Sequence, residues 1–408
     1  MVGAGVLALP VVTSAPGFLL SSTAMVLVWG YSLATGMLIA ECAGDGRESI
    51  KEMAEASVGR TAGNVMCGAF LANNYLLMIA YISQGASLLS GLPMLSQEGF
   101  GPLFSTCMSD FHLAPLVFTA VVGCTSLWGP ARFVENANTA LVGLIAVSFA
   151  GLMATGIPHV DVASLALAPD ASALPAVLPV ALCALAFQNV VPAVSKNLSG
   201  DATKIKSSLA IGSGLPLIAY ILWDAVVLGS TGALDGSPGA MSSPMDALAA
   251  SSPVVGLLVA VFSMSATITS FLGASFSLMN ECTHLVGALA SSDSLSDIKG
   301  QFPLADDARS IDEVDRHDKN VKTTASALVL VPPVMVSLAF PDSFLSALQY
   351  VGVYIYPLLY GIAPAVMAYR LRSADNHKIQ MPGGIAVLTF IGALTAGYTS
   401  WQTTLMIG

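Results

Sequence analysis

Ten stretches of about 17 to 31 apolar residues govern what this chain can become. They run approximately 17–41, 61–91, 113–129, 136–157, 174–195, 207–229, 253–283, 322–340, 343–369 and 381–405. A helix needs roughly 20 such residues to cross a bilayer, so each stretch is a candidate span. The loops test the assignment independently. All fifteen Lys and Arg fall in alternate loops. One set holds Arg47, Lys51 and Arg60; then Arg132; then Lys196, Lys204 and Lys206; then Lys299, Arg309, Arg316, Lys319 and Lys322; then Arg370, Arg372 and Lys378. The intervening loops, around 13–16, 92–112, 158–173, 230–252 and 341–342, hold none. Basic side chains resist translocation, so the basic loops are cytoplasmic. A missed or invented helix would break this alternation.

Composition agrees and removes other classes. Hydrophobic residues make up 55% of the chain and charged residues 10%, against about 25% charged in a soluble protein. A net charge of −10 argues against a nucleic-acid partner. The six cysteines are scattered without a CxxC pair, so neither a disulfide framework nor a metal site is expected. None of the five His lies in mid-span. A membrane-embedded enzyme, which would need clustered ligands or acid–base groups at bilayer depth, is therefore disfavoured. No cofactor is implied.

The orientation puts residues 13–16 outside. Met1–Val12 is too short to span and must climb outward from mid-membrane. It is expected to be the outer part of a first helix whose cytosolic half precedes this sequence. That makes about eleven transmembrane helices in one transporter-like domain, 1–408, with the first truncated. The segment 284–321 is expected to be a flexible cytosolic loop, and Ser49–Ser57 a short amphipathic helix along the inner surface. A plasma membrane and a plastid envelope are both compatible with this multi-pass topology.

Two segments are irregular. Gly3-Ala4-Gly5 sits at mid-bilayer depth in the first span. Phe187-Gln188-Asn189-Val190-Val191-Pro192 sets two amides and a proline in the middle of the sixth. Lipid cannot satisfy freed backbone groups, so such breaks survive only where they line a cavity or are buried in protein. The breaks are five spans apart, the spacing a five-plus-five inverted repeat requires. In that architecture paired discontinuous helices build a midplane substrate site. Each break taken alone has a packing explanation: small residues allow close helix approach, and an Asn can make an interhelical bond.

These residues carry a resemblance. Gly3-Ala4-Gly5-Val6-Leu7-Ala8-Leu9-Pro10 resembles the first-helix motif of the bacterial aromatic amino acid permeases, the tyrosine and tryptophan transporters. Ala80-Tyr81-Ile82-Ser83 resembles their third helix. Leu178-Pro179-Val180, Phe187, Val191-Pro192 and the stretch from Ile211 to Trp223 resemble their sixth and seventh. The resemblance implies membership of the amino acid–polyamine–organocation superfamily. It further implies the five-plus-five all-α fold and ion-driven symport of an aromatic amino acid such as tyrosine or tryptophan.

The expected site follows from the chemistry of a zwitterion. N–H groups at Gly3, Ala4 and Gly5, at a positive dipole end, suit its carboxylate. Carbonyls near Phe187, Gln188 and Asn189, or the Asn189 side chain, suit its ammonium. Phe187 or Tyr81 could face an aromatic ring. Asp224, inside the seventh span, is the clearest ion-coupling candidate, because a carboxylate held out of water can carry a proton. It could instead reach outer water or pair with a tyrosine. Glu41 and Glu281 sit at the inner ends of their spans. Thr267 and Ser270 in the eighth span could ligate sodium, or bond to their own helix. A proton is thus favoured over sodium as coupling ion. The alternatives are a sodium-coupled or exchanging transporter of other neutral amino acids, and a non-transporting sensor with this fold.

Overall fold

The computed structural model describes residues 3–44, 47, 49–91, 113–166, 170–231, 244–297, 307–373 and 384–407. The outer loops 92–112 and 232–243, the basic residues Lys299 and Lys378, and Met1–Val2 lie outside them. The described residues are helical throughout, with short connections. In order they are α1 (Gly5–Thr13), α2 (Phe18–Ala43), α3 (Ile50–Ser57), α4 (Arg60–Ser90), α5 (Ala114–Trp128), α6 (Ala131–Gly156), α7 (Leu174–Ala184), α8 (Val191–Asn197), α9 (Ala202–Thr231), α10 (Pro244–Ala250), α11 (Pro253–Asp297), α12 (Asp307–Ala339), α13 (Ser343–Ser373) and α14 (Gly384–Ile407). Among the described residues nine helical segments are long and apolar enough to cross a membrane, and α5 is a shorter apolar helix. With α1 they reproduce the eleven spans read from the loops. The protein is an all-helical, multi-pass membrane protein.

Helix contacts divide the chain into two compact units. One comprises Met1–Asn73, Ala140–Thr267 and Leu345–Gly408; the other comprises Asn74–Thr139 and Ile268–Phe344. The division respects the five-span offset. Spans one and six (α1; α7 with α8), two and seven (α2, α9) and five and ten (α6, α13) fall essentially in the first unit. Spans four and nine (α5, α12) fall in the second. Spans three and eight (α4, α11) are each cut in mid-helix, after Asn73 and after Thr267. A repeat of five spans accounts for this pairing without further assumption.

Prolines inside spans would leave carbonyls unpaired one turn earlier, because proline has no N–H to donate. In two cases a side chain from a distant helix answers the vacancy. Pro179 in α7 frees the Pro175 carbonyl, and Gln402 Nε2 of α14 donates to it at 2.8 Å. Pro332 in α12 frees the Leu328 carbonyl, and the Tyr75 hydroxyl of α4 donates to it at 2.9 Å. The α1–α2 turn relies on Gly17, whose φ of +83° suits a residue without Cβ.

At the inner ends, α3 begins at Ser49 with a reciprocal pair. The Glu52 N–H donates to the Ser49 side chain, and the Ser49 N–H donates to the Glu52 carboxylate. This is the short helix expected there. Glu41, at the end of α2, accepts two hydrogen bonds of 2.6 Å from Arg372 of α13. The region expected to be a flexible loop is helical where described. Residues 284–297 continue α11 and 307–321 open α12.

Candidate substrate and coupling site

Both irregular segments belong to the first unit, and they meet. α1 packs along α7. A Cβ placed on Gly5 would come within 3.1 Å of the Ala184 Cα. Gly5 thus lets the start of one half-helix approach the end of the other. α7 stops at Ala184, and Leu185 to Phe187 are non-helical. Phe187 opens a single 3₁₀ turn, Gln188–Val190, before α8 begins. The sixth span is therefore discontinuous where Gln188-Asn189 and Pro192 suggested.

Side chains hold the break in place. Gln188 bridges it: Oε1 accepts from the Phe187 N–H at 2.9 Å, and Nε2 donates to the Thr35 hydroxyl of α2 at 3.2 Å. The Phe187 ring is buried over Gly36, where a Cβ would lie 2.9 Å from the ring edge. Asn189 is exposed and accepts a hydrogen bond from the Tyr360 hydroxyl of α13. That helix is π-helical over Val351–Ile355 and Pro357–Ile362. The widened turns stand beside the broken span, and a Cβ on Gly352 would overlap the Pro179 carbonyl.

The first-span motif is gripped by α9. The Tyr220 hydroxyl is hydrogen-bonded to the Gly3 backbone. The N–H groups of Val6 and Leu7 are taken by the carbonyls of Gly3 and Ala4, at 3.1 and 3.0 Å. One turn beyond Tyr220, Asp224 is 0% exposed, and its Oδ1 lies 2.6 Å from the Thr13 hydroxyl at the far end of α1. Its other oxygen, Oδ2, is buried without a hydrogen-bond partner among the described residues. The neighbouring Trp223 fixes the rotation of α9 by packing against Phe149 and Phe262, at ring-centroid distances of 6.3 and 5.2 Å. Asp224 therefore neither reaches outer water nor pairs with a tyrosine in this structure.

The remaining expected residues are placed as follows. The Thr267 hydroxyl is buried and donates to the Ser263 carbonyl of its own helix at 2.8 Å. Ser270 and Tyr81 are half-buried and belong to the second unit. Sequence reasoning missed Thr13 and Tyr220. Tyr220 stands four residues before Asp224, on the same helix face, and that spacing was a usable signal. Thr13 gave none, since a lone hydroxyl in a span reads as ordinary packing.

Comparison with known proteins bears on these features. A family model described as the tryptophan/tyrosine permease family matches residues 1–294 and 308–402. The chain belongs to that family. Among relatives of this permease is the tyrosine-specific transport system 1 of Haemophilus influenzae, 25% identical, with 98% of this chain aligned to 93% of that one. Another is a tryptophan-specific transport protein of Pseudomonas aeruginosa, 29% identical over 86% of this chain and 79% of that one. A solved structure of MhsT in complex with L-phenylalanine aligns over 99% of the permease and 97% of its own chain, at 13% identity and a TM-score of 0.49.

Proposed function

We propose that this permease is a proton-coupled symporter of aromatic amino acids, tyrosine or tryptophan, working by alternating access. The substrate class is supported by the family and by relatives named for tyrosine and tryptophan. The proton is supported by one observation above the others. Asp224 is fully buried in a membrane span, with one hydroxyl against Oδ1 and, among the described residues, no partner for Oδ2. An ionised carboxylate with so few donors is costly to bury, whereas a protonated one is not.

In this reading the substrate carboxylate binds at Gly3, Ala4 and Gly5. The first turn of α1 there presents the positive end of the helix dipole. The Tyr220 hydroxyl, which holds the Gly3 backbone, is the group that gives way. The ammonium binds at the last carbonyls of α7, where the opposite dipole end favours a cation. Gln188 keeps that end in register through Thr35 and the Phe187 N–H. Asn189, held by Tyr360, offers a further acceptor. Phe187, which shares a unit with Gly3 and Asp224, is the candidate to meet the substrate ring.

The test is uptake of labelled tyrosine and tryptophan into proteoliposomes under an imposed proton gradient or an imposed sodium gradient. The proton gradient should drive accumulation. Asp224→Asn should abolish it while leaving counterflow exchange intact. Accumulation of neither substrate would end the aromatic reading; accumulation on sodium alone would end the proton reading.

A further inference from the structure

Thr13 lies within hydrogen-bond distance of two acceptors but owns a single proton. Its Oγ1 is 2.6 Å from Asp224 Oδ1 and 2.9 Å from the Leu9 carbonyl of its own helix. Both Thr13 and Asp224 are 0% exposed, so water does not offer a substitute. A hydroxyl donates once. Only two arrangements satisfy the group. With Asp224 neutral, its own O–H donates to Thr13, and Thr13 donates to Leu9. With Asp224 ionised, Thr13 must turn its proton to the carboxylate, and the Leu9 carbonyl loses that bond.

We infer that Thr13 reads the protonation state of Asp224 and passes it to α1, through this exclusive choice between Leu9 and the carboxylate. The inference rests on the reading of Asp224 as the proton carrier and adds the route by which the proton is coupled to substrate. Hydroxyl bonds back onto a helix bend its last turn, so gaining or losing one changes the end of α1. That end is also where the chain turns: the Thr13 carbonyl accepts from the Gly17 N–H at 3.0 Å and from the Ser21 hydroxyl at 3.5 Å. The other end of the same nine-residue helix carries the Gly3–Gly5 backbone, held by Tyr220 from the same face of α9. α9 thus grips α1 at both ends, one grip open to a proton and the other to a carboxylate.

Among the described residues, no other charge is buried beside Thr13 and Asp224. α1 itself carries no titratable side chain. On the elements packed against α1 and α9, His159, Asp161, Lys196 and Asp246 are exposed, Glu41 is bound by Arg372, and Tyr31 is bonded to Thr395. Tyr220, on α9 itself, is engaged with Gly3.

The test compares Thr13→Val, which keeps the shape and removes the hydroxyl, with Thr13→Ser, which keeps the hydroxyl. Asp224→Asn serves as control, and all are assayed in proteoliposomes. A hydrogen bond to a charged group is stronger than one between neutral groups. Losing the hydroxyl should therefore displace the half-maximal pH of proton-driven uptake by about one unit toward alkaline pH. Counterflow exchange should persist, and Thr13→Ser should restore the parent profile. A parent-like profile in Thr13→Val overturns the inference, as does a Thr13→Ser profile displaced like that of Thr13→Val. If Asp224→Asn itself keeps the parent pH dependence, the proton-carrier reading fails instead.

Discussion

Removing Arg372 should damage this protein more than removing its partner, and the structure says by how much. The Glu41 side chain is 0% exposed and that of Arg372 9%. Both carboxylate oxygens are used, each at 2.6 Å, and the guanidinium also donates to the Gly384 carbonyl at 2.9 Å. Arg372→Met strips the cation from a carboxylate that has no access to water. Breaking a buried pair in this way costs about 3–5 kcal/mol. Glu41→Gln leaves the guanidinium near the surface, with the Gly384 carbonyl still bonded. Its cost is that of a weakened hydrogen-bonded site, about 1–3 kcal/mol. The double variant Glu41→Leu/Arg372→Met removes both charges together, and such replacements are often neutral. Titration with SDS in mixed micelles, followed by tryptophan fluorescence, gives the three free energies. The expected order of stability is double variant near parent, then Glu41→Gln, then Arg372→Met. A loss below about 1 kcal/mol for Arg372→Met would mark the pair as solvent-screened. A double variant as unstable as Arg372→Met would show that the loss is packing and not charge.

Gln402→Leu should lower stability in the same titration by about 1–3 kcal/mol, because the half-buried Pro175 carbonyl loses its donor. Gly36→Ala should cost about 1–3 kcal/mol and raise the KM for uptake. Its added methyl meets the Phe187 ring at 2.9 Å and presses on the break in the sixth span. Unchanged kinetics in that variant would show that the Phe187 position is not tied to substrate binding.

The spans were legible because each depends only on local hydrophobicity and on the charge of its own loops. The two breaks were legible for a related reason: Gly3, Gly5, Gln188, Asn189 and Pro192 are wrong for an uninterrupted apolar helix wherever it packs. The short helix around Ser49–Ser57 was legible from its amphipathic pattern, and the reciprocal Ser49–Glu52 cap came only with the structure. What could not be read was every pairing between distant segments. Thr13 meets Asp224 across 211 positions, Tyr360 meets Asn189 across 171, and Gln402 answers Pro175 across 227. These depend on the rotation and register of whole helices, which Trp223, Gly5 and Gly36 help to set through packing. A single sequence carries no mark of which faces will meet. The helical extensions over 284–297 and 307–321 were missed because polar, acidic residues do not argue for helix without a partner face.

The pairing of first and sixth spans has a consequence for biogenesis. Insertion and folding are separated in time. Arg47, Lys51, Arg60 and Arg132 orient the first five spans by themselves, as each emerges. Yet α1 packs on α7, whose last residue follows Thr13 by 171 positions (184 − 13). At about 5–20 residues per second, that partner arrives roughly 10–30 s later. Through that interval the nine residues of α1, about 14 Å of helix, lack their packing surface. Its Gly3 backbone and its Thr13 hydroxyl wait still longer, because Tyr220 and Asp224 come later again. The assembly machinery must tolerate this first helix without its packing partners until the second half of the chain is made.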